Sequence, residues 1–257
     1  MDNKVWINYT TFARDVEWLD YSLQSFRRHC SGFSGVTIVV PDRDVHLFIK
    51  FEKRYGTPEC PVLIKNFMEY PGKGFVHHLA MKCYADVFSP QATHILHMDP
   101  DCVWIKATTP DDYFIGEKPV LVIEPYEEVK KYHEARWNWK KITEETLRFE
   151  CKYETMCRHP AVHHSWLYQR LRSYIESIHP TPFVDYVLKQ RNAFPQGFGE
   201  FNTLGSYVVE EHELDYHLWD RKAGGEAADP EPHIAQMWSY TGANAPKNQE
   251  IIRNALK

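Results

Sequence analysis

Thr93-His94-Ile95-Leu96-His97-Met98-Asp99-Pro100-Asp101-Cys102-Val103-Trp104-Ile105 carries the clearest structural signal in the chain. The short apolar run Thr93 to Met98 reads as a buried strand, and it ends in two carboxylates separated by a proline. In an extended chain, residues two apart point to one side. Pro100 also biases Asp99 toward an extended conformation. Asp99 and Asp101 can therefore approach one hard divalent cation at the strand's carboxyl end. Mg²⁺ and Mn²⁺ take oxygen ligands of this kind, and Mg²⁺ is usually held by one or two carboxylates plus substrate phosphates. The competing reading is a solvated turn at a strand end.

The sequence on either side alternates strand and helix. Val5 to Tyr9 is short, apolar and β-prone. Asp15 is placed to cap a helix whose apolar residues, Val16, Leu19, Leu23, Phe26 and Cys30, recur in steps of three and four. Val36 to Val40 reads as a second buried strand, closed by Pro41-Asp42. A helix from about Asp44 to Tyr55 follows, stopped by Gly56. Pro61 to Ile64 is a third strand candidate. Phe75 to Val87 is a helix, the strand ending at Met98 is the fourth, and Pro119 to Ile123 is a fifth. Such alternation predicts an α/β fold with a mostly parallel central sheet flanked by helices. In open sheets of this class ligands bind beyond the carboxyl ends of the strands. That rule selects residues 9–15, 41–44, 66–74 and 99–103. Residues 127–192 are mostly helical and strongly charged, and a helix is predicted over Glu200 to Glu211 after Gly197-Phe198-Gly199. The expected organisation is one domain over 1–257, with an α/β part at 1–126 and a mainly helical part at 127–257.

Composition narrows the class. The chain has 257 residues, 30 basic and 35 acidic side chains, and a net charge of −5. It lacks the basic balance of a nucleic-acid binder, which argues against nucleic acid as the main partner. No apolar run reaches the roughly 18 residues of a membrane span, and the N-terminal residues lack the apolar segment of a signal peptide. The six cysteines form no C-x-x-C pair. They read as reduced thiols, so the expectation is a cytoplasmic protein without disulfides.

A D-x-D after a strand in an α/β chain of this size resembles nucleotide-sugar glycosyltransferases of the GT-A (Rossmann-like) fold. It is more closely similar to small bacterial and phage-type glycosyltransferases. Arg14-Asp15 follows the first strand and Pro41-Asp42-Arg43-Asp44 the second. Gly74-Phe75 opens a helix carrying Lys82, Asp99-Pro100-Asp101 comes next, and Glu200-Phe201-Asn202 follows a Gly-rich turn. The order of these short motifs, over about residues 5–210, carries the resemblance. One departure is His77-His78, where the pattern has glutamines.

The resemblance implies transfer of a hexose or pentose from a nucleotide-sugar donor to an acceptor hydroxyl, assisted by Mn²⁺ or Mg²⁺. The acceptor is a glycan, small molecule or polymer. Asp101 would hold the cation, which would neutralise the departing diphosphate. Asp99 would hold the ribose or share the metal. Tyr9, Thr10, Thr11, Arg14 and Asp42 would border the nucleoside, and Lys82 would reach a phosphate. Glu200 would be the base for the acceptor hydroxyl in an inverting transfer, or an orienting group in a retaining one. His159 and Asn202 would lie on the acceptor side. His233 is the first choice for a third metal ligand, with His217 and His212 as rivals.

Two other classes compete. A metal-dependent phosphohydrolase or nucleotidyltransferase also uses carboxylates and a cation. However, its D-x-D or Gly-rich loop belongs after the first strand, and Tyr9-Thr10-Thr11-Phe12-Ala13 has neither. Walker-type and G-x-G-x-x-G patterns are absent, as is the G-x-S-x-G elbow of a serine hydrolase. A sugar-nucleotide-binding protein without catalysis is the remaining alternative.

Overall fold

A computed structural model describes residues 3–156, 160–190, 197–221, 233–237, 242 and 245–257. In chain order the first elements are β1 (Val5–Thr10), α1 (Val16–His29), β2 (Gly35–Pro41), α2 (Val45–Phe48), α3 (Lys50–Tyr55), β3 (Val62–Phe67), α4 (Gly74–Lys82), α5 (Ala85–Phe88), β4 (His94–His97) and β5 (Cys102–Trp104). They are followed by β6 (Phe114–Ile115), β7 (Lys118–Pro125), α6 (Tyr126–Tyr132), α7 (Glu134–Trp137), α8 (Trp139–Leu147), β8 (Tyr153–Glu154) and β9 (Ala161–His164). The last are α9 (Ser165–Ile178), α10 (Phe183–Leu188), α11 (Glu200–Glu211), β10 (His217–Asp220), β11 (Ile234–Gln236) and α12 (Pro246–Ala255).

The chain forms two compact units, and neither is continuous in sequence. The first comprises Met1–Met68, Phe88–Tyr113 and Pro230–Lys257; the second comprises Glu69–Val87 and Phe114–Asp229. Division at residue 126 therefore does not describe the packing. Segment 69–87 joins the later helices, and the C-terminal segment joins the early strands.

The first unit holds the parallel sheet that the alternation predicts. β1 pairs in parallel with β2 on one side and β4 on the other, and β2 pairs in parallel with β3. The order β3-β2-β1-β4 puts the earliest strand inside the sheet. Every residue of β1, β2 and β4 is buried, as expected of strands covered on both faces. The α1 helix buries Leu19, Leu23 and Phe26 of the stripe that its periodicity gave, and Trp18 besides; Val16 and Cys30, at the two ends of that stripe, are half-buried. Phe26, Phe33 and Trp104 pack ring against ring with centroids 5.8–6.3 Å apart. Gly35 is required at the start of β2, because a Cβ there would lie 2.5 Å from the Trp6 ring. The helix expected over 44–55 is two short ones, α2 and α3, meeting at Ile49. The helix expected over 75–87 ends at Lys82 and resumes as α5.

The second unit is mixed. In it β7 pairs in parallel with β10 and antiparallel with β6 and β8. The fifth strand candidate is thus β7 of a separate small sheet, not a continuation of the first. Around it pack α8, α9, α10 and α11, whose buried faces include Trp139, Leu147, Leu171, Phe183, Phe201 and Leu204. Gly205 of α11 lies against Thr155; a Cβ there would come within 2.2 Å of its hydroxyl. Cys30, Cys60, Cys83, Cys102 and Cys151 are free thiols. Among the described residues, no helix is long and apolar enough to cross a membrane.

Candidate functional site

The first unit places its acidic residues at a defined point of the sheet. β2 and β3 extend from one side of β1, and β4 lies on the other. The gap between the ends of β1 and β4 is therefore a topological switch point, where open α/β sheets bind ligands. Asn8 is in register with His97, and the Met98 N–H donates to the Asn8 carbonyl at 3.1 Å. The chain thus leaves β1 at Thr10-Thr11 level with the exit of β4 at Asp99. The Cys102 N–H donates to the Asp99 carbonyl at 3.1 Å, closing the Asp99-Pro100-Asp101 turn.

Asp15 joins this cluster. It occupies the N-cap position of α1, yet its side chain makes no capping hydrogen bond, contrary to the sequence expectation. The carboxyl is buried, and burial pushes it up to about 6. The Arg14 guanidinium, 3.6 Å from Asp15 Oδ1, opposes the shift, while the charges of Asp101 and Asp99 add to it. Arg14 itself is exposed and lies over the Phe12 ring. Asp101 is almost fully buried at 9% exposure, and Asp99 is half-buried. Carboxylates gathered at the end of a sheet mark a place that favours a cation.

Several donor-side candidates have other partners. The Tyr9 side chain is fully buried, and its hydroxyl is 2.9 Å from Ser22 Oγ on α1. Burial drives its pKa far above the ordinary phenol value, and it belongs to the core. Thr10 donates to the Asn8 side-chain oxygen at 3.3 Å. Thr11 is fully buried and donates its backbone N–H to Val39 at 2.9 Å. Asp42 is exposed and accepts from Asn66 Nδ2. Its neighbour Asp44 is the buried member of the motif, accepting the Ala13 N–H at 3.0 Å. That bond ties the loop after β2 to the loop after β1.

His233 lies in the first unit, but the strand register places it away from the D-x-D. β11 runs antiparallel to β5 with Ile234 opposite Trp104 and Gln236 opposite Cys102. The Met237 N–H donates to the Asp101 carbonyl at 2.8 Å. The residue opposite Asp101 is thus Met237. His233 is four residues back, or about 13 Å along a strand, with Nδ1 hydrogen bonded to Thr108 Oγ1 at 2.8 Å. Among the described residues, no group of three or more His, Cys, Asp or Glu side chains is arranged to hold a metal ion. His212 and His217 belong to the second unit. His212 Nδ1 is 3.5 Å from Asp215, and the His217 ring is beside Trp219.

Two candidates in the second unit meet each other. Lys82 Nζ, at the end of α4, is 2.7 Å from Glu200 Oε1, the first residue of α11. Their side chains are 7% and 5% exposed. Asn202 is fully buried; its side-chain oxygen accepts the Thr155 N–H at 2.9 Å, so it anchors the strand-end segment after β8. His159 lies outside the described residues.

The arrangement thus brings Asp99 and Asp101 together with Asp15, and brings Lys82 together with Glu200. Sequence reasoning overlooked Asp15 and Asp44. Both lie in motifs it quoted, in loops at strand carboxyl ends. The burial that distinguishes them from Arg14 and Asp42 has no local sequence signal.

These observations define an α/β protein with an acidic cluster at the switch point of a parallel sheet. The chain belongs to a family of unknown function (DUF6492), whose family model matches residues 7–231. No curated protein matches the sequence. Among solved structures, the chain is similar to apo mouse Xyloside xylosyltransferase 1, at 12% identity and a TM-score of 0.46 over 86% of each chain.

Proposed function

We propose that this protein is a metal-dependent glycosyltransferase that moves a sugar from a nucleotide-sugar donor to an acceptor hydroxyl. The observation that carries the reading is the crowding of Asp15, Asp99 and Asp101 at the switch point; burial pushes Asp15 up to about 6, and the charges of Asp101 and Asp99 add to that shift. A divalent cation relieves that crowding, and a diphosphate supplies the oxygens that two carboxylates leave to be filled.

The donor set is all oxygen and acidic, which fits Mn²⁺ or Mg²⁺. Asp99 and Asp101 would hold the ion. When bound, it supplies charge neutralisation to the leaving diphosphate. The remaining roles fall to the chain. Asp15 adds a nearby third negative charge. Thr10 and Thr11 shape the floor beside β1, and the Asp44 bond to Ala13 keeps that loop in place. Glu200 takes the acceptor's proton as the transfer proceeds.

Analysis of the products tests this reading. The protein is incubated with UDP-, GDP-, dTDP- and CMP-linked sugars and Mn²⁺. A glycosyltransferase, even with water as acceptor, releases the nucleoside diphosphate from the first three and the monophosphate from the CMP-sugar. Release of sugar phosphate would assign a phosphohydrolase instead. Metal-dependent binding without any product would assign a binding protein.

A further inference from the structure

Lys82 and Glu200 are separated by 118 residues and meet inside the second unit. At 2.7 Å the contact is a charge-assisted hydrogen bond between groups almost removed from water. Lys82 Nζ also lies 4.4 Å from the centroid of the Phe201 ring, the residue after Glu200, a distance suited to a cation–π contact. The ammonium is thus held by two consecutive residues of the first turn of α11. A lysine so engaged is poorly placed to serve as a mobile phosphate contact. A buried carboxylate that lost this partner would be left uncompensated.

The other charged groups on the elements packed around this pair have partners of their own. Arg172 of α9 is bidentate to Asp86 at 2.6 and 2.8 Å. Lys140 of α8 is 3.5 Å from Glu144, and Glu154 of β8 is bonded to Arg136. Asp185 of α10 is exposed.

We infer that Lys82 is a positioning residue for Glu200. It holds that carboxylate in place at the start of α11 through their 2.7 Å hydrogen bond, and it does not bind the donor's phosphates. The inference rests on the proposed role of Glu200 as base. It moves Lys82 from the donor to the acceptor half of the reaction.

The test separates binding from turnover. Affinity for UDP, GDP and dTDP is measured with Mn²⁺ in wild type, Glu200→Gln and the double variant Lys82→Met/Glu200→Gln. The double variant removes both charges and so avoids a lone buried carboxylate. Release of nucleoside diphosphate from the matching nucleotide sugar is followed in wild type, Lys82→Met and Lys82→Arg. The expected result is nucleotide affinity within threefold between the single and double Glu200 variants. Release should fall more than a hundredfold in Lys82→Met but less than tenfold in Lys82→Arg, which keeps the charge.

A tenfold or greater loss of affinity on adding Lys82→Met to Glu200→Gln would make Lys82 a phosphate contact and overturn the inference. Release within threefold of wild type in Lys82→Met, or equal losses in Lys82→Met and Lys82→Arg, would overturn it as well. If none of these nucleotides, nor CMP, binds wild type, the glycosyltransferase reading itself falls and takes the inference with it. Should Lys82→Met fail to fold, the affinity comparison in the Glu200→Gln background decides.

Discussion

The two units treat buried acids in opposite ways. In the second unit each buried carboxylate faces a close cation: Glu200 faces Lys82, and Glu124 and Glu154 share Arg136. Glu124 and Glu154 are opposite each other in the β7–β8 pairing, so one guanidinium bridges both strands. In the first unit Asp15 and Asp44 each have an exposed arginine at longer range. Arg14 is 3.6 Å from Asp15 and Arg43 is 3.7 Å from Asp44. Close ion pairs in a dry interior fix architecture; carboxylates gathered at a sheet's switch point are suited to receiving a cation and a ligand.

Breaking the matched side should have the largest effect on stability. Arg136→Met strands two buried carboxylates and should cost roughly 3–5 kcal/mol, as removal of one partner of a buried ion pair does. Urea unfolding measures it, and adding Glu124→Gln and Glu154→Gln should recover much of the loss. A cost below about 1 kcal/mol would show that water already compensates these acids.

The first unit should differ in pH dependence. Asp15 titrates at about 6 in the folded chain, above the roughly 3.9 of an unfolded aspartate. Its raised value favours folding fully below about pH 4, and that contribution is lost as pH rises through 6. Two units correspond to about 3 kcal/mol. Urea midpoints between pH 4 and 7 should fall more steeply in wild type than in Asp15→Asn. Parallel curves would mean that Asp15 is not crowded.

The smallest effect sharpens the contrast within one motif. Asp44→Ala loses the bond from the Ala13 N–H and should cost about 1 kcal/mol. Exposed Asp42→Ala should stay within about 0.5 kcal/mol. Equal costs would remove the distinction between the two aspartates.

The parallel sheet was legible because β1, β2 and β4 are buried along their whole length and so read as mainly apolar runs. The helix over 200–211 was legible from the glycine turn before it. The switch point followed once β1 was placed between β2 and β4, and it gave Asp99 and Asp101 their position. Legibility ended where partners are distant in sequence. The four-residue offset between His233 and the position opposite Asp101 is set by the β5–β11 register, and β11 is only three residues long. Glycine and proline before His233 marked a loop but not its pairing. Lys82 was noticed as a charge carried on a helix and Glu200 as a charge opening one, but nothing local shows that they meet. The short strands β8 and β10 lack an apolar run and went unseen. Segment 69–87 joins the later helices through packing that its own periodicity does not encode.

The most direct test of the acidic cluster as a donor site is melting of wild type and Asp101→Ala with UDP-, GDP-, dTDP- and CMP-sugars, each with Mn²⁺ and with EDTA. A ligand at a hundredfold excess over its Kd adds about 2.7 kcal/mol, or roughly 2–4 °C for a chain of this size. The account predicts that wild type shifts with one nucleotide class, that EDTA abolishes the shift, and that Asp101→Ala folds but does not shift. An equal shift in Asp101→Ala, or one that survives EDTA, would contradict it.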